Sequence, residues 1–167
     1  MANRMLRVVW MVAWTGLCRF TPPPMWAWRR LILRLFGARI GKGAKIYGST
    51  RIWHPANLDL GSDAMLGRGV NCYNQGQIAI GAGSVISWNA TLCSSSHDFN
   101  DPAFPLVLRP IRIGTDVWIA AEAFVGPGVS VEDGAVLGAR SVAMRDLAGW
   151  SLYSGNPAQK VRDRPKL

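Results

Sequence analysis

Aliphatic side chains recur at every sixth position over most of this chain. In the carboxyl-terminal half one such run continues without a gap: Ile113, Ile119, Val125, Val131 and Leu137. Three earlier runs have the same spacing and are offset from one another by two residues: Ile40, Ile46, Ile52 and Leu58; Leu60, Leu66, Cys72 and Ile78; Ile80, Ile86 and Leu92. A short fixed period is typical of solenoid proteins, in which each repeat stacks on the next.

A second set of positions, four residues after the aliphatics, carries small or β-branched side chains. These residues are Ala44, Thr50, Ala56, Ala64, Val70, Ser84, Ala90, Val117, Ala123, Val129, Ala135 and Ser141. Glycine often follows the aliphatic directly, as at Gly41, Gly81 and Gly114, where a turn or a close backbone approach can require it. Six residues therefore make one short strand and one corner, with both sets facing a narrow interior. Three hexapeptides close a triangular coil of about 18 residues, and successive coils stack by parallel hydrogen bonding.

An ordinary β-sandwich is the alternative architecture. Its strands alternate with a period of two and do not select every third inward position for a large aliphatic side chain. The composition agrees with a packed β-rich chain, because 49% of the 167 residues are hydrophobic and only 17% are charged. The 18 glycines and 10 prolines exceed what a helical bundle needs. The sequence therefore predicts an all-β solenoid over residues 40–150.

The hexapeptide period breaks between Leu92 and Ile113. These two core positions are 21 residues apart, where about 18 would complete a coil, so part of residues 93–112 must leave the solenoid. The excursion contains His97, one of the two histidines in the chain. A loop on a rigid scaffold can present a reactive side chain without disturbing the core. The residues alone leave two interpretations open for His97, a catalytic imidazole and a solvated bystander. His54 has no comparable setting and is expected either to lie on the surface or to pack within a coil.

Five segments carry a more specific signal: WRRLILRLFGARIGKGA (28–44), YNQGQIAIG (73–81), SHDFNDPAFPL (96–106), VWIAAEAFVGPGV (117–129) and GNPA (155–158). They resemble the hexapeptide-repeat acyltransferases, and most closely the O-acetyltransferases of the colanic-acid-biosynthesis type. The resemblance implies a left-handed parallel β-helix, the opposite hand to the one that general crossover rules favour. It also implies a homotrimer with each active site in the cleft between neighbouring solenoids, and acetyl-CoA as the co-substrate without a metal.

The resemblance implies that His97 is the general base for acetyl transfer to a sugar hydroxyl. Imidazole has the near-neutral pKa that this proton transfer needs. An oxyanion forms on the thioester carbonyl during the attack and needs a hydrogen-bond donor. The matching donor is the backbone N–H of Ala121. The implied mechanism is direct transfer in a ternary complex, and Cys93 is not expected to act as a nucleophile because no second histidine is evident to activate it.

The resemblance further implies binding residues on both substrates. On the acceptor side, Asn74 would hydrogen-bond the sugar or position the histidine loop, although an Asx turn at the shift in repeat phase explains this residue equally well. Asp98 is a candidate for orienting the imidazole, but adjacent side chains in an extended segment point apart. The residues implied on the coenzyme A side are Trp118, Ala120, Gly138, Ala139, Arg145, Lys160 and Arg162. An alternative interpretation is that Trp118 covers a subunit interface and that Lys160 and Arg162 belong to a solvated tail over residues 151–167.

Residues 1–39 precede the repeat and carry seven arginines without any aspartate or glutamate. Two short helices are predicted on either side of Pro22–Pro24. Their apolar faces would be Leu6, Val9, Trp10, Ala13 and Leu17 in the first, and Trp28, Leu31, Ile32, Leu35 and Phe36 in the second. Such helices typically cap an open solenoid end. Peripheral membrane contact of residues 1–36, through Trp10, Trp14, Trp26, Trp28 and the flanking arginines, is a second interpretation that can coexist with the first.

The net charge, the cysteines and the histidines limit the classes of function that are expected. The net charge of +9 suits an anionic partner, but no aromatic–basic nucleic-acid motif is present, so nucleic acid is not expected. Three cysteines without metal-ligand spacing predict neither a disulfide framework nor a zinc site, and fit the cytoplasm. A metal hydrase of the γ-carbonic-anhydrase type would need three histidine ligands, and two histidines cannot supply them within one chain, so this activity is not expected. The alternative to the enzyme is a non-catalytic solenoid that docks on membrane or protein, and a lipid-linked sugar acceptor at the inner membrane face would account for the basic amino terminus.

Overall fold

Two helices and a three-sided stack of short strands make up the protein. The computed structural model describes residues 2–166. Met1 and Leu167, which bound the predicted terminal segments, and the side chain of Arg4, one of the seven arginines, lie outside the description. The helices are α1 (Ala2–Leu17) and α2 (Trp26–Leu35).

The strands follow in chain order, three to a coil. The first three coils contain β1 (Arg39–Ile40), β2 (Lys45–Ile46), β3 (Arg51–Ile52), β4 (Leu58–Leu60), β5 (Met65–Leu66), β6 (Asn71–Tyr73), β7 (Ile78–Ile80), β8 (Val85–Ile86) and β9 (Thr91–Cys93). An inserted hairpin contains β10 (Ser95–His97) and β11 (Leu106–Leu108). The remaining coils contain β12 (Ile111–Ile113), β13 (Trp118–Ile119), β14 (Phe124–Val125), β15 (Ser130–Val131), β16 (Val136–Leu137), β17 (Val142–Ala143), β18 (Ser151–Ser154) and β19 (Gln159–Asp163).

Strands at equivalent positions of successive coils pair in parallel and form three sheets, and the antiparallel β19 ends sheet B. Sheet A contains β1, β4, β7, β12 and β15; sheet B contains β2, β5, β8, β13, β16, β18 and β19; sheet C contains β3, β6, β9, β14 and β17. The register places the hexapeptide aliphatics beside one another, for example Leu60 beside Ile80 and Ile80 beside Ile113. The predicted solenoid with an aliphatic ladder is therefore confirmed.

The two sets of inward positions fill the core, with one exception. Leu66, Ile86 and Ile119 of sheet B are fully buried, and so are most of the small residues four positions after an aliphatic. Ala56 was expected inside and is exposed. A short 3-10 helix over Pro55–Asn57 turns the chain at this corner, and Pro55 takes the buried position instead.

The buried face of α1 differs from the predicted one. Trp10 and Trp14 are buried, whereas Leu6 and Val9 are each 56% exposed. The physical reason is the open edge of the first coil, which leaves backbone carbonyls without partners. The indole of Trp10 donates to the carbonyl of Ile52 at 2.7 Å, and that of Trp14 donates to the carbonyl of Thr50 at 3.0 Å. Helix α1 therefore packs through its indoles, which combine apolar area with a donor.

The same reason governs α2, in which Arg29 is only 1% exposed. Its guanidinium donates to the carbonyls of Thr21, Pro22, Pro23 and Ile46 at 2.6–3.1 Å. The arginine thus fastens the segment between the helices to the first coil. The aliphatic face predicted for α2 is largely wrong, because Trp28, Leu31 and Leu35 are exposed and Arg29, Ile32 and Leu33 are buried.

The carboxyl-terminal segment is more ordered than the predicted tail. Strand β18 extends sheet B in parallel beside β16, and β19 folds back on β18 in an antiparallel hairpin. Tyr153 of β18 is 9% exposed and belongs to the core. The solenoid therefore continues beyond residue 150. Among the described residues, no helix has the length and apolar character that a membrane span requires.

Candidate active site

The predicted excursion is a two-stranded hairpin that leaves the solenoid directly after β9. Strands β10 and β11 pair antiparallel, with Ser95 opposite Leu108 and His97 opposite Leu106. The backbone N–H of Asp98 donates to the carbonyl of Pro105 at 3.0 Å and closes the turn. His97 lies at the outer end of the paired region and is exposed. The hairpin thus presents the imidazole outside the solenoid.

His97 is held by a single residue, Phe104. Its Nδ1 lies 2.8 Å from the Phe104 carbonyl oxygen, and the two rings stack with centroids 4.3 Å apart and planes 6° apart. A carbonyl oxygen can only accept, so Nδ1 must carry the proton of this hydrogen bond. In the neutral imidazole, Nε2 is then the unprotonated nitrogen, which can accept a proton from a hydroxyl.

Asp98 does not orient the imidazole. Its Oδ1 accepts a hydrogen bond from the backbone N–H of Asn100 at 3.0 Å, and Asp101 similarly accepts from Ala103 at 2.8 Å. These are Asx turns, which stabilise a tight loop locally. The carboxylate therefore shapes the hairpin turn, and the Phe104 carbonyl occupies the orienting role that was considered for Asp98.

Asn74 is fully buried and its side chain is committed to the preceding coil. The Oδ1 accepts from the backbone N–H groups of Trp53 and His54 at 2.9 and 3.1 Å, and Nδ2 donates to the carbonyl of His54 at 2.6 Å. The structure thus gives Asn74 a role in holding the corner after β3. This role differs from the expected contact with sugar and from an Asx turn within its own segment.

Ala121 lies at the corner between sheets B and C, after β13. Its carbonyl accepts from the N–H of Arg140 at 2.9 Å, while its own N–H makes no hydrogen bond to another described backbone group. The neighbouring Ala120 is 6% exposed, and its N–H donates a hydrogen bond to the carbonyl of Leu137 at 2.9 Å. Of these two amides, only that of Ala121 is available to an oxyanion. Trp88 and Ala139 occupy the same position in adjacent coils, and their N–H groups likewise make no hydrogen bond to a described backbone group.

Trp118 lies on the outer face of sheet B, as its place in the repeat predicts. It is 49% exposed, and its indole donates to the Ser87 hydroxyl at 2.9 Å. It lines a groove of about 400 Å³ together with Trp150 and Arg164. Arg164 is fixed there by hydrogen bonds to the carbonyls of Asp116 and Gly134 at 3.0 and 2.9 Å.

The other candidate coenzyme A residues lie elsewhere. Arg145 lines a second groove, of about 330 Å³, with Ala158 and Gln159. Lys160, next to that groove in sequence, forms an exposed ion pair with Asp163 at 2.6 Å, and this hydrogen bond raises the pKa of the lysine. The structure therefore brings Arg145 close to the GNPA segment but does not bring it into the groove of Trp118. The described residues contain no group of three or more His, Cys, Asp or Glu side chains that could hold a metal ion.

Comparisons with known proteins identify the family. No family model matches the chain. A protein of Escherichia coli K12 described as a colanic acid biosynthesis acetyltransferase, WcaF, is 42% identical over 156 residues, which cover 93% of this chain and 86% of that protein. The chain belongs to the hexapeptide-repeat acetyltransferases. It is therefore an acyltransferase, as predicted.

Two more distant members show how widely the fold is shared. The galactoside O-acetyltransferase of Escherichia coli K12 is 23% identical over 81% of this chain and 68% of its own length. A hexapeptide-repeat acetyltransferase from Vibrio cholerae, solved in complex with acetyl-CoA, is 20% identical and has a TM-score of 0.88 over 98% of this chain and 89% of its own. The left-handed parallel β-helix predicted for this hexapeptide-repeat acetyltransferase is confirmed.

Two residues of this hexapeptide-repeat acetyltransferase were missed by sequence analysis. Phe104 lies within the SHDFNDPAFPL segment, but only the hairpin register places its carbonyl against the imidazole of His97. Arg164 follows the last strand, and its position beside Trp150 depends on the antiparallel return of β19. Phe104 could have been found by searching the residues that face His97 in an assumed hairpin. Arg164 lies beyond the hexapeptide pattern, which gave no signal for it.

Proposed function

We propose that this acetyltransferase moves the acetyl group of acetyl-CoA to a sugar hydroxyl, with His97 as the general base. The observation that carries the proposal is the hydrogen bond from Nδ1 to the Phe104 carbonyl, which leaves Nε2 as the proton acceptor on an exposed side chain. The sugar acceptor is supported by the 23%-identical relative named galactoside O-acetyltransferase. The acetyl donor is supported by the acetyl-CoA complex of the structurally similar protein from Vibrio cholerae.

The proposed reaction is one direct transfer. The acceptor hydroxyl oxygen attacks the thioester carbonyl carbon while Nε2 of His97 takes the hydroxyl proton. The resulting oxyanion accepts a hydrogen bond from the Ala121 N–H, which is not used by any described backbone carbonyl. The carbon–sulfur bond then breaks, and coenzyme A leaves as a thiolate that recovers the proton from the imidazolium. All atoms and charges balance without a metal or an acyl-enzyme.

A homotrimer completes the proposed site. His97 stands on a hairpin beside the solenoid, and the grooves of Trp118 and Arg145 are partly open to solvent on a single chain. A neighbouring solenoid would supply the second wall that an enclosed ligand site needs. Coenzyme A would then lie along sheet B, with its thioester near Ala121, its pantetheine arm against Trp118 and its phosphates near Arg145 and the basic β19. The remaining residues proposed on this path are Ala120, Gly138, Ala139, Lys160 and Arg162.

The proposed setting is surface polysaccharide biosynthesis in the cytoplasm. The setting is supported by the description of the 42%-identical relative as an enzyme of colanic acid biosynthesis. The three cysteines are free thiols, which persist in a reducing compartment. The acceptor would be a saccharide or a lipid-linked saccharide. Incubating a panel of both kinds with labelled acetyl-CoA, and locating the acetyl group on the product, identifies it.

The His97→Ala variant tests the base. We expect acetyl transfer to fall by about 10²–10⁴-fold. The affinity for coenzyme A and the mass of the oligomer in solution should not change. The matched control is His54→Gln at the only other histidine in the sequence, which we expect to leave turnover within about threefold of the wild type. Turnover that survives the loss of His97 would reject the proposed base, whereas loss of activity in both variants would point to misfolding.

A further inference from the structure

Helix α1 turns an apolar stripe away from the solenoid. Met5, Val8, Val9 and Val12 are exposed at 70, 61, 56 and 68%, respectively. Their spacing of i, i+3, i+4 and i+7 places them on one face of the helix. Exposed apolar stripes of this kind mark interaction surfaces. Trp10 and Trp14, which were predicted as possible membrane contacts, are buried against the solenoid and do not belong to this stripe.

The apolar surface continues from α1 onto the next segment and α2. Phe20, Leu31 and Leu35 are exposed at 82, 48 and 71%. The Trp28 indole donates to the Leu17 carbonyl at 2.8 Å and ties the start of α2 to the end of α1. The two helices therefore form one apolar end of the molecule.

Positive charge surrounds this apolar end. Residues 1–58 contain ten arginines and lysines and no aspartate or glutamate. Within residues 5–58, for which the structure describes side chains, the ion pair formed is that of Arg39 with Asp59. Two copies of this end would repel one another, so self-association through α1 is disfavoured. An anionic surface is the complementary partner.

A groove between α1 and sheet C holds part of this charge, on the side of the helix that Trp10 and Trp14 occupy. The groove has a volume of about 400 Å³ between α1 and sheet C, and its walls include Arg7, Arg19 and Arg51. The guanidinium carbon of Arg7 lies 3.9 Å from the centre of the Trp53 ring. Planar guanidinium groups recognise phosphate through paired hydrogen bonds. Helix α1 thus combines an exposed apolar stripe on one side with phosphate-binding arginines on the other, which is the pattern of amphipathic helices that lie in a membrane interface.

We propose that α1 docks on an anionic lipid surface. Met5, Val8, Val9 and Val12 enter the boundary between headgroups and acyl chains, and the arginines around α1 attract the anionic surface electrostatically. The helix keeps its indoles on the first coil, so docking needs no rearrangement of the solenoid. The inference does not depend on the acetyl transfer proposed above.

Vesicle flotation of the full-length protein tests the docking. We expect co-flotation with vesicles of phosphatidylcholine and phosphatidylglycerol, and little with phosphatidylcholine alone. The Val8→Gln/Val12→Gln variant should bind at least about tenfold more weakly, since both side chains lose apolar burial. The control is Val161→Gln on β19, a valine of similar exposure, 59%, at the other end of the solenoid, and it should float like the wild type. Arg19→Gln/Arg51→Gln should weaken binding to the anionic vesicles in particular.

Each other outcome overturns the proposal. Wild-type protein that stays off the anionic vesicles rejects it, and so does a double valine variant that floats normally. If the wild type does not float and the valine variant has a smaller mass by light scattering, the stripe is a contact between copies of the chain. Acetyl transfer to a soluble acceptor, measured on the same preparations, separates a failure of docking from a failure of the proposed reaction.

Discussion

The imidazole of His97 and the ring of Phe104 stack 4.3 Å apart, and the backbone carbonyl of the same phenylalanine lies 2.8 Å from Nδ1. One residue therefore restricts both the plane of the imidazole and its tautomer. Because the two residues belong to one hairpin, this orientation exists within a single chain. A base that is already oriented loses less entropy when the transition state forms.

Phe104→Ala removes the ring and keeps the carbonyl. We expect the turnover number to fall by about tenfold, because the imidazole keeps its hydrogen bond but gains freedom to tilt. The KM for acetyl-CoA should not change, and Phe104→Tyr should restore the rate. Phe99→Ala is the control, since Phe99 is 81% exposed on the same hairpin. Equal losses in the Phe99 and Phe104 variants would show that the stack has no special effect.

Arg29→Met keeps an unbranched apolar side chain and removes all the donors. The carbonyls of Thr21, Pro22, Pro23 and Ile46 would lose a buried partner. We expect the free energy of unfolding to fall by at least about 3 kcal/mol, since each unsatisfied buried acceptor costs about 1–3 kcal/mol. Arg30→Met, which loses one hydrogen bond to Ala44, should lose about 1 kcal/mol. Urea unfolding of both variants measures the difference, and similar losses would contradict the role given to Arg29.

Gly81→Ala tests the contact between stacked corners. A Cβ at Gly81 would lie 2.4 Å from the carbonyl oxygen of Gly114 in the next coil. The backbones must separate to admit it, so we expect a loss of more than about 2 kcal/mol in thermal unfolding. Gly16→Ala in α1 is the opposite case, with nothing within 4 Å of the added carbon, and should raise stability by up to about 1 kcal/mol. A neutral Gly81 variant would mean that the coils are less tightly stacked than described.

The cysteines should differ sharply in reactivity. Burial raises the pKa of Cys72 to about 12 and, opposed in part by Arg29, that of Cys18 to about 11. At pH 8 both thiols stay protonated in the folded state, while Cys93 is half-buried. We expect iodoacetamide to label one thiol in native protein and three after unfolding, as counted by mass spectrometry. Native Cys93→Ser should not be labelled.

The same pKa shifts set the direction of a pH effect on stability. The folded pKa values of Cys18 and Cys72 lie above the unfolded value of about 8.5, so the unfolded chain releases these protons first. The contribution of the two neutral thiols is present below pH 8.5 and is lost as the pH rises toward 11 and 12. Urea unfolding between pH 8 and pH 10 should show falling stability, and a smaller fall in Cys72→Ala.

Sequence periodicity predicted the solenoid because each core position depends on one local rule repeated along the chain. The rule failed where a residue serves the end of the stack instead of its interior. Arg29 is buried and Leu35 is exposed, since the first coil needs donors for its open carbonyls as well as apolar area. No helical pattern read from α2 alone contains that requirement.

The sequence predicted the location of the site but not the contacts within it. The interrupted period located the hairpin of His97, but the partner of the imidazole depends on hairpin register. Asn74 hydrogen-bonds residues 20 and 21 positions earlier in the chain, a relation that exists only once coils are stacked. Contacts between successive coils lie outside what a hexapeptide pattern encodes.

The reversal of the chain at β19 has a consequence for assembly. A parallel ladder could in principle grow from one molecule into the next, as fibres do, because the last strand of a stack is a template for another. In sheet B the final strand runs antiparallel to β18 and exposes all five of its residues. A second molecule therefore meets a strand of the wrong direction at one end and a pair of helices at the other. This arrangement disfavours end-to-end pairing of molecules through sheet B.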